Sequence, residues 1–136
     1  MLVLNLPYPP SVNHMYINAH GRRFPNKKAL DYKAQIADYV VEYKVPKLGE
    51  AKLSLTIWVH PPDKRKRDIS NIVKIVEDSL QDAGVYDNDF NIDILLVQRG
   101  EITKGGKLLV MLEVLEDNKW KREAFSPPKK GLFLKE

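Results

Sequence analysis

The sequence predicts a single α/β domain of two layers, in which helices pack on one small mixed or antiparallel sheet. The chain has 136 residues, of which 43% are hydrophobic, enough for one modest core. Segments that alternate apolar and polar residues, as strands do, are interspersed with segments of helical periodicity. Along the chain they give strand, helix, strand, helix, strand, strand, an order typical of two-layer α/β domains.

The first half of the chain contributes a strand and a helix. A strand is predicted at residues 2–6, and the prolines that follow end it because proline cannot donate to a sheet. The polar segment 11–25 is predicted to be a loop. A helix is predicted over 26–44 with Asn26 as its N-cap, since apolar residues recur at spacings of three and four. Its predicted buried stripe comprises Leu30, Ala34, Ala37, Val40 and Val41.

The second half contributes three strands and a helix. Residues 51–60 alternate strictly, which predicts a strand whose outward face is a candidate dimer contact. The helix that follows is predicted over 70–83, with Gly84 placed to end it. Strands are predicted at 90–99 and 107–115, joined as a hairpin by the glycines between them. The predicted buried stripe of the second helix comprises Ile72, Val76, Ser79, Leu80 and Ala83.

Apolar periodicity fades after Glu116, so we expect a domain at residues 1–116 and a basic C-terminal appendage at 117–136. The chain has no cysteine, which excludes disulfides, zinc–thiolate sites and thiol catalysis. The first residues do not read as a signal peptide, and no apolar run reaches the length of a membrane span. We therefore expect an intracellular protein with no membrane association.

A cationic loop precedes the second helix. The net charge of the chain is +4, and four successive cations lie just before Asp68. Such a cluster suits a phosphate backbone, although solvated lysines would give the same composition. The expected DNA-binding residues of the loop are Lys64, Arg65, Lys66 and Arg67.

Two acids bracket the second helix. Asp68 opens it and Asp89 lies in the turn that follows, while Lys74 projects from its first turns. Two carboxylates can hold one Mg²⁺, and a nearby lysine can stabilise charge on a reacting phosphate. Asp68 also suits an N-cap and Asp89 a turn, so a purely structural role stays open for each.

These residues resemble the RusA family of Holliday junction resolvases. The pattern R-D-x-x-N-x-x-K-x-x-x-D-x-L occurs at residues 67–80, and PYPPSVN, AGVYDND and TKGG occur at 7–13, 83–89 and 103–106. Together the four motifs extend the resemblance over residues 2–115. The resemblance implies a small homodimeric α/β endonuclease that cuts four-way DNA junctions symmetrically with Mg²⁺ or Mn²⁺.

The resemblance also implies roles for single residues. Asp68 and Asp89 match two aspartates of the family motif, and Lys74 matches its lysine, which makes these three the expected catalytic residues. Arg67 matches the arginine before the first aspartate, and Asn71 is expected to join the loop in binding DNA. The expected metal ligands are Asp68, Asp89 and, weakly, Ser70.

Ser70 marks a departure from the family, because it stands where the motif has another aspartate. A neutral hydroxyl is a weaker metal ligand than a carboxylate, and Ser70 could cap the helix instead. Asp87 or Asp93 could compensate, since both lie near Asp89 in the sequence.

Three hypotheses follow. The first is a metal-dependent junction endonuclease acting in DNA recombination and repair, in the cytoplasm at the nucleoid. The second is a junction-binding protein whose cutting is weakened at Ser70. The third is a basic nucleic-acid-binding module with no preference for branched DNA.

Overall fold

The computed structural model describes residues 1–10 and 16–116. The predicted tail at 117–136 and the segment 11–15 lie outside the described residues. Within the described ranges the chain forms strands and helices in this order: β1 (Leu2–Pro7), β2 (Tyr16–Ala19), β3 (Arg22–Pro25), α1 (Lys27–Glu42), β4 (Leu53–His60), a 3₁₀ turn (Ile69–Ile72), α2 (Val73–Asp82), a second 3₁₀ turn (Asp89–Asn91), β5 (Ile92–Arg99) and β6 (Lys107–Val114).

Four strands form one mixed sheet, which confirms the predicted α/β class. Their order across the sheet is β1-β6-β4-β5. β6 pairs antiparallel with both β1 and β4, whereas β4 and β5 run parallel. A parallel pair requires a crossover, and α2 supplies it between β4 and β5. The crossover places the loop before α2 and the turn after it at opposite ends of one helix.

The prediction that the last two strands form a hairpin is wrong. β5 pairs with β4 on one side, and β6 pairs with β4 on the other, so β4 separates them. The connection between them crosses the end of β4, where the Gly100 and Thr103 amides donate to Val59 and Pro61 carbonyls. Its glycines at 105 and 106 both have positive φ, but the chain that follows them pairs with the other side of β4 and does not return along β5.

The prediction of a loop over 11–25 is also wrong for its second part. β2 and β3 pair antiparallel as a small separate hairpin. The turn residues His20 and Gly21 both have positive φ, as a type I′ turn requires. The sequence signal was weak because histidine seldom occupies the first position of such a turn.

α1 begins as predicted but buries a different stripe. The Asn26 side chain accepts a hydrogen bond from the Ala29 amide, which confirms the N-cap. Of the predicted stripe only Val40 is buried; Leu30 and Val41 are exposed. The buried face is rotated by about one residue from the predicted one, and it places the Tyr32 ring in the core. The buried residues of α1 are Ala29, Tyr32, Ile36 and Val40.

The second helix begins as a 3₁₀ turn and becomes α-helical at Val73, three residues later than predicted. Its predicted stripe is confirmed: Ile72, Val76, Ser79 and Leu80 are buried, Ile75 joins them, and Ala83 is partly buried against the core. The Ser79 hydroxyl donates to the Ile75 carbonyl, which satisfies the only polar side chain of that stripe.

The two helices contact each other, and the buried stripes of both belong to one core with one face of the sheet. The opposite face carries the alternate residues of each strand, and these are half-buried or exposed. Among residues 1–10 and 16–116, neither helix has the length and apolar character needed to cross a lipid bilayer.

Candidate active site

The cationic loop is organised around Asp63, a residue that the sequence analysis missed. Its carboxylate accepts two hydrogen bonds from the Arg67 guanidinium, at 2.6 and 3.1 Å, and one from the Arg65 amide at 2.9 Å. The Arg67 hydrogen bonds are the main cause that lowers the pKa of the Asp63 carboxyl to about 2. The spacing of four between Asp63 and Arg67 was the available signal.

The Arg67 side chain is therefore held in place by hydrogen bonds and does not extend freely into solvent. Its backbone carbonyl also accepts a hydrogen bond from the Arg99 guanidinium at 2.8 Å, which ties the loop to the end of β5. Lys64, Arg65 and Lys66 remain exposed. The loop thus presents three accessible cations from a backbone that is fixed at both ends.

Asp68 occupies the N-cap position of the first 3₁₀ turn without acting as a cap. Its backbone is extended, and its side chain makes no capping hydrogen bond. The residue is exposed and lines a cavity of about 660 Å³ together with Arg65, Lys66 and Asn71. An exposed carboxylate with no capping role is available to a ligand.

Ser70 does not cap the helix either, so that interpretation is wrong. Its hydroxyl is not among the capping groups, and its backbone carbonyl accepts the Val73 amide inside the 3₁₀ turn. Ser70 and Asn71 are both exposed. Lys74 precedes Asp78 by four residues within α2, so these two side chains lie on one side of the helix, whereas Ser70 belongs to the 3₁₀ turn, where that spacing does not apply.

A cluster of charged groups surrounds Asp89 at the far part of α2. The Lys74 ammonium donates to the Asp78 carboxylate at 3.0 Å, and the Asp78 carboxyl lies within hydrogen-bonding range of Asp89. The Asp89 amide donates to the Gln81 side chain at 2.8 Å, which fixes the turn on the helix. The structure therefore brings together two of the three predicted catalytic residues, Lys74 and Asp89.

The electrostatics of the cluster favour a cation. Burial, together with the negative charge of Asp78, raises the pKa of the Asp89 carboxyl, and burial with the charge of Asp89 raises the pKa of Glu77. The Tyr86 hydroxyl has one proton to donate and lies between the Glu77 carbonyl, at 2.8 Å, and the Asp89 carboxyl. The Asp89 Oδ1 atom is buried and has no hydrogen-bond partner among the described residues.

Asp68 lies outside this cluster. The 3₁₀ turn and the first half of α2 separate it from Asp78 by on the order of 15 Å along the helix axis. In the described part of the chain, no group of three or more acidic or histidine side chains has the arrangement of a metal site. The acids nearest Asp89 are Asp78 and Glu77, whereas Asp87 and Asp93 are exposed.

Comparison with known proteins identifies the family. The family described as "Endodeoxyribonuclease RusA" matches residues 7–113. The chain is 31% identical over 111 residues to a crossover junction endodeoxyribonuclease of Enterobacteria phage HK97, covering 82% of this chain and 92% of that protein. It is also 31% identical over 106 residues to the enzyme of that name from Escherichia coli K12, covering 77% and 88% of the two chains. The chain belongs to the RusA family of endodeoxyribonucleases.

Proposed function

We propose that this protein is a crossover junction endodeoxyribonuclease that resolves four-way DNA junctions by paired, symmetric phosphodiester cleavage. The match to the RusA family over residues 7–113 carries this proposal, because relatives at 31% identity are named for that activity. The cationic loop and the acid cluster are the two parts that such chemistry needs. The work of such an enzyme is DNA recombination and repair, in the cytoplasm at the nucleoid.

The DNA strand would bind along the cationic loop. Lys64, Arg65 and Lys66 are exposed and would contact phosphates, which positions the strand without reading its sequence. Arg67 would act from a fixed place, because the Asp63 carboxylate holds its guanidinium with two hydrogen bonds. Asn71, exposed in the next turn, would add an amide that can donate and accept.

The residues around Asp89 fit a bound Mg²⁺ or Mn²⁺. The donors are carboxylate oxygens, which hard cations prefer, and Asp89 Oδ1 is buried with no hydrogen-bond partner in residues 1–10 and 16–116. Asp89 would hold the ion beside Asp78, whereas the expected ligands Asp68 and, weakly, Ser70 lie too far along the helix to share it and would bind a cation only at the start of the helix. A bound divalent ion would polarise the phosphodiester and lower the pKa of attacking water.

Lys74 would act through its ammonium group on the reacting phosphate. The hydrogen bond to Asp78 at 3.0 Å holds the ammonium on the side of α2 that faces Asp89. A positive group fixed in advance stabilises the charge that develops on the phosphate oxygens, without reorganisation during the reaction. Asp78, which is the second aspartate of the pattern at residues 67–80, would position Lys74.

One observation favours the alternative of a junction-binding protein with weakened cleavage. Ser70 occupies the position of a family aspartate, and it is exposed and does not cap. A neutral hydroxyl there would leave the ion held by fewer negative charges. DNA binding would not suffer, because the cationic loop is unaffected.

A single assay separates the three functions. A labelled synthetic four-way junction is incubated with the protein, with and without Mg²⁺, and both the bound and the cut fractions are measured. We expect structure-selective binding in both conditions and paired, symmetric cuts only with Mg²⁺. Binding without any cut would support the weakened protein. If unlabelled linear duplex competes for the protein as strongly as unlabelled junction does, the protein is instead a basic nucleic-acid-binding module with no preference for branched DNA.

We also propose that the protein acts as a homodimer. A four-way junction has near two-fold symmetry, and a C2 dimer presents two identical active sites with that symmetry. The sheet face opposite the helices supports the proposal. It carries apolar side chains on neighbouring strands, and no described residue packs a second layer on it: Val3, Trp58, Leu96, Leu109 and Met111.

Charge on this open face should disrupt the dimer. Val3 and Leu96 are 49% and 48% exposed, so Val3→Glu with Leu96→Glu should leave the monomer folded. We expect wild-type protein to elute as a dimer in size-exclusion chromatography with light scattering, and the double variant as a monomer. The matched control is Leu30→Glu, which changes a residue of α1 that is 54% exposed. A double variant that remains dimeric would exclude this face, and a monomeric wild type would exclude the dimer.

A further inference from the structure

A cavity of about 660 Å³ lies between the end of β1 and the start of the first 3₁₀ turn. One wall is formed by Tyr8, Pro9 and Pro10, which directly follow β1. The remaining lining includes Arg65 and Lys66 of the cationic loop, Asp68 and Asn71. The cavity therefore joins an aromatic and proline surface to a surface of cations, one carboxylate and one amide.

These two surfaces match the two parts of a nucleotide. Aromatic side chains stack on nucleobases of any sequence, and cations bind the phosphates that connect them. An asparagine amide can both donate to and accept from a base edge, which allows one base to be told from another. Asp68 lines this cavity, whereas Lys74, Asp78 and Asp89 do not, so the cavity adjoins the start of the helix and lies apart from the cluster around Asp89.

Tyr8 is held firmly in the wall. A Cβ atom added at Gly106 would lie 2.8 Å from the Tyr8 Cβ and Cγ atoms, so only glycine leaves room for the ring. Gly106 also has a φ of 71°, which other residues rarely adopt. Tyr8 is also partly buried against the hydrophobic core. A ring restricted by these neighbours loses little freedom when a base stacks on it.

We propose that Tyr8 forms one wall of a nucleobase pocket, in which a nucleotide at the crossover of the junction stacks on its ring while the adjoining phosphate lies against Arg65 and Lys66. The pocket sets the base sequence at which the strand is cut. This inference rests on the proposed function, because it assumes that a branched DNA strand enters at the cationic loop. Bases at a branch point are easier to unstack than bases within a duplex, which makes the pocket suited to a junction.

The test uses the full-length protein and a panel of four-way junctions that differ only in the bases at the crossover. Single-turnover cleavage rates are measured for wild type, Tyr8→Ala and Tyr8→Phe. A second readout is the emission of 2-aminopurine placed at the crossover, recorded on binding without metal. We expect Tyr8→Ala to bind about tenfold more weakly, to lose the ranking of the panel and to lose the emission change. Tyr8→Phe should restore both readouts, because it keeps the ring.

The matched control is Tyr43→Ala, which removes an exposed tyrosine at the end of α1. It should keep the wild-type ranking and emission change. Circular dichroism and thermal unfolding establish that each variant is folded; if Tyr8→Ala is not, Tyr8→Leu replaces it and should fail in the same two readouts. A Tyr8→Ala or Tyr8→Leu protein with the wild-type ranking and emission change would overturn the pocket. A wild type that binds junctions without cutting would instead count against the nuclease, and the emission readout would still decide the pocket.

Discussion

Asp89→Asn should abolish junction cleavage and leave junction binding intact or tighter. The variant removes the charge that would hold the metal ion, while it keeps the size of the side chain. Losing a residue that merely orients a metal ligand costs about 10- to 100-fold, so losing the ligand itself should cost more than about 100-fold. Binding should not weaken, because one repulsion between a carboxylate and the phosphates disappears. Single-turnover cleavage and gel-shift titration of the same junction measure the two effects.

The matched control is Asp87→Asn, in the same turn. Asp87 is exposed, and its contribution to the turn is a backbone amide that donates to the Gly49 carbonyl, which the substitution retains. Its cleavage rate should stay within about twofold of wild type, as expected of an exposed surface substitution. Full-rate cleavage by Asp89→Asn, or an equal loss in Asp87→Asn, would show that the metal site has been assigned to the wrong residue.

The stability of the Asp89→Asn protein gives an independent check on the same cluster. Burial and Asp78 raise the pKa of the Asp89 carboxyl above that of the unfolded chain, so ionisation disfavours the folded state. The penalty is absent at low pH, when the carboxyl is protonated in both states, and it grows as pH rises through and above the usual aspartate range. Without metal at neutral pH, the variant should therefore unfold at a higher temperature than wild type, because asparagine carries no charge to be buried beside Asp78.

Local patterns predicted most elements of this fold, although they missed the β2–β3 hairpin and the buried face of α1, and the long-range pairing of the last two strands was predicted wrongly. The alternation of residues 51–60 and the stripe of the second helix depend on a residue's own segment, and both are confirmed. The order of the sheet depends on which strands pair with β4. Both β5 and β6 have enough apolar residues to lie beside it, so composition does not predict the order. Glycines at 105 and 106 permit a sharp turn, but they do not determine whether the chain returns to its previous neighbour.

The candidate site shows the same difference between local features, which the sequence predicts, and long-range features, which it does not. The motif residues could be found from the sequence because their spacing is short, and the pairing of Lys74 with Asp78 follows from helical geometry. The sequence could not show that Asp78, Glu77 and Tyr86 crowd Asp89, because this depends on how the turn after α2 folds back onto the helix. The role of Asp63 was missed because its spacing of four from Arg67 indicates an ion pair only in a helix, and this loop shows no helical periodicity.

Ser70→Asp should raise the rate of Mg²⁺-dependent junction cleavage by about tenfold or more, the inverse of the loss expected when a metal site is weakened. Ser70 stands where the family motif has an aspartate and two residues after Asp68, so a carboxylate at 70 would add a second acid at the start of the helix. The position is exposed, and an acid in the first turn of a helix is favourable by about 0.3–1 kcal/mol, so the fold should tolerate the change. The measurement is the single-turnover rate as a function of Mg²⁺ concentration, and less Mg²⁺ should be needed for half-maximal rate.

Ser70→Asn is the matched control, because it has the shape of aspartate without its charge. If charge at this position completes the metal site, Asn should cut no faster than Ser, and only Asp should shift the Mg²⁺ dependence. In the absence of metal, Ser70→Asp should bind the junction slightly more weakly, because an uncompensated carboxylate then faces the phosphates. Equal or slower cleavage by Ser70→Asp would refute the view that Ser70 is a weakened ligand. The distinction between a nuclease and a binding protein would then rest on Asp68 and Asp89 alone, with the serine as one more exposed residue of the 3₁₀ turn.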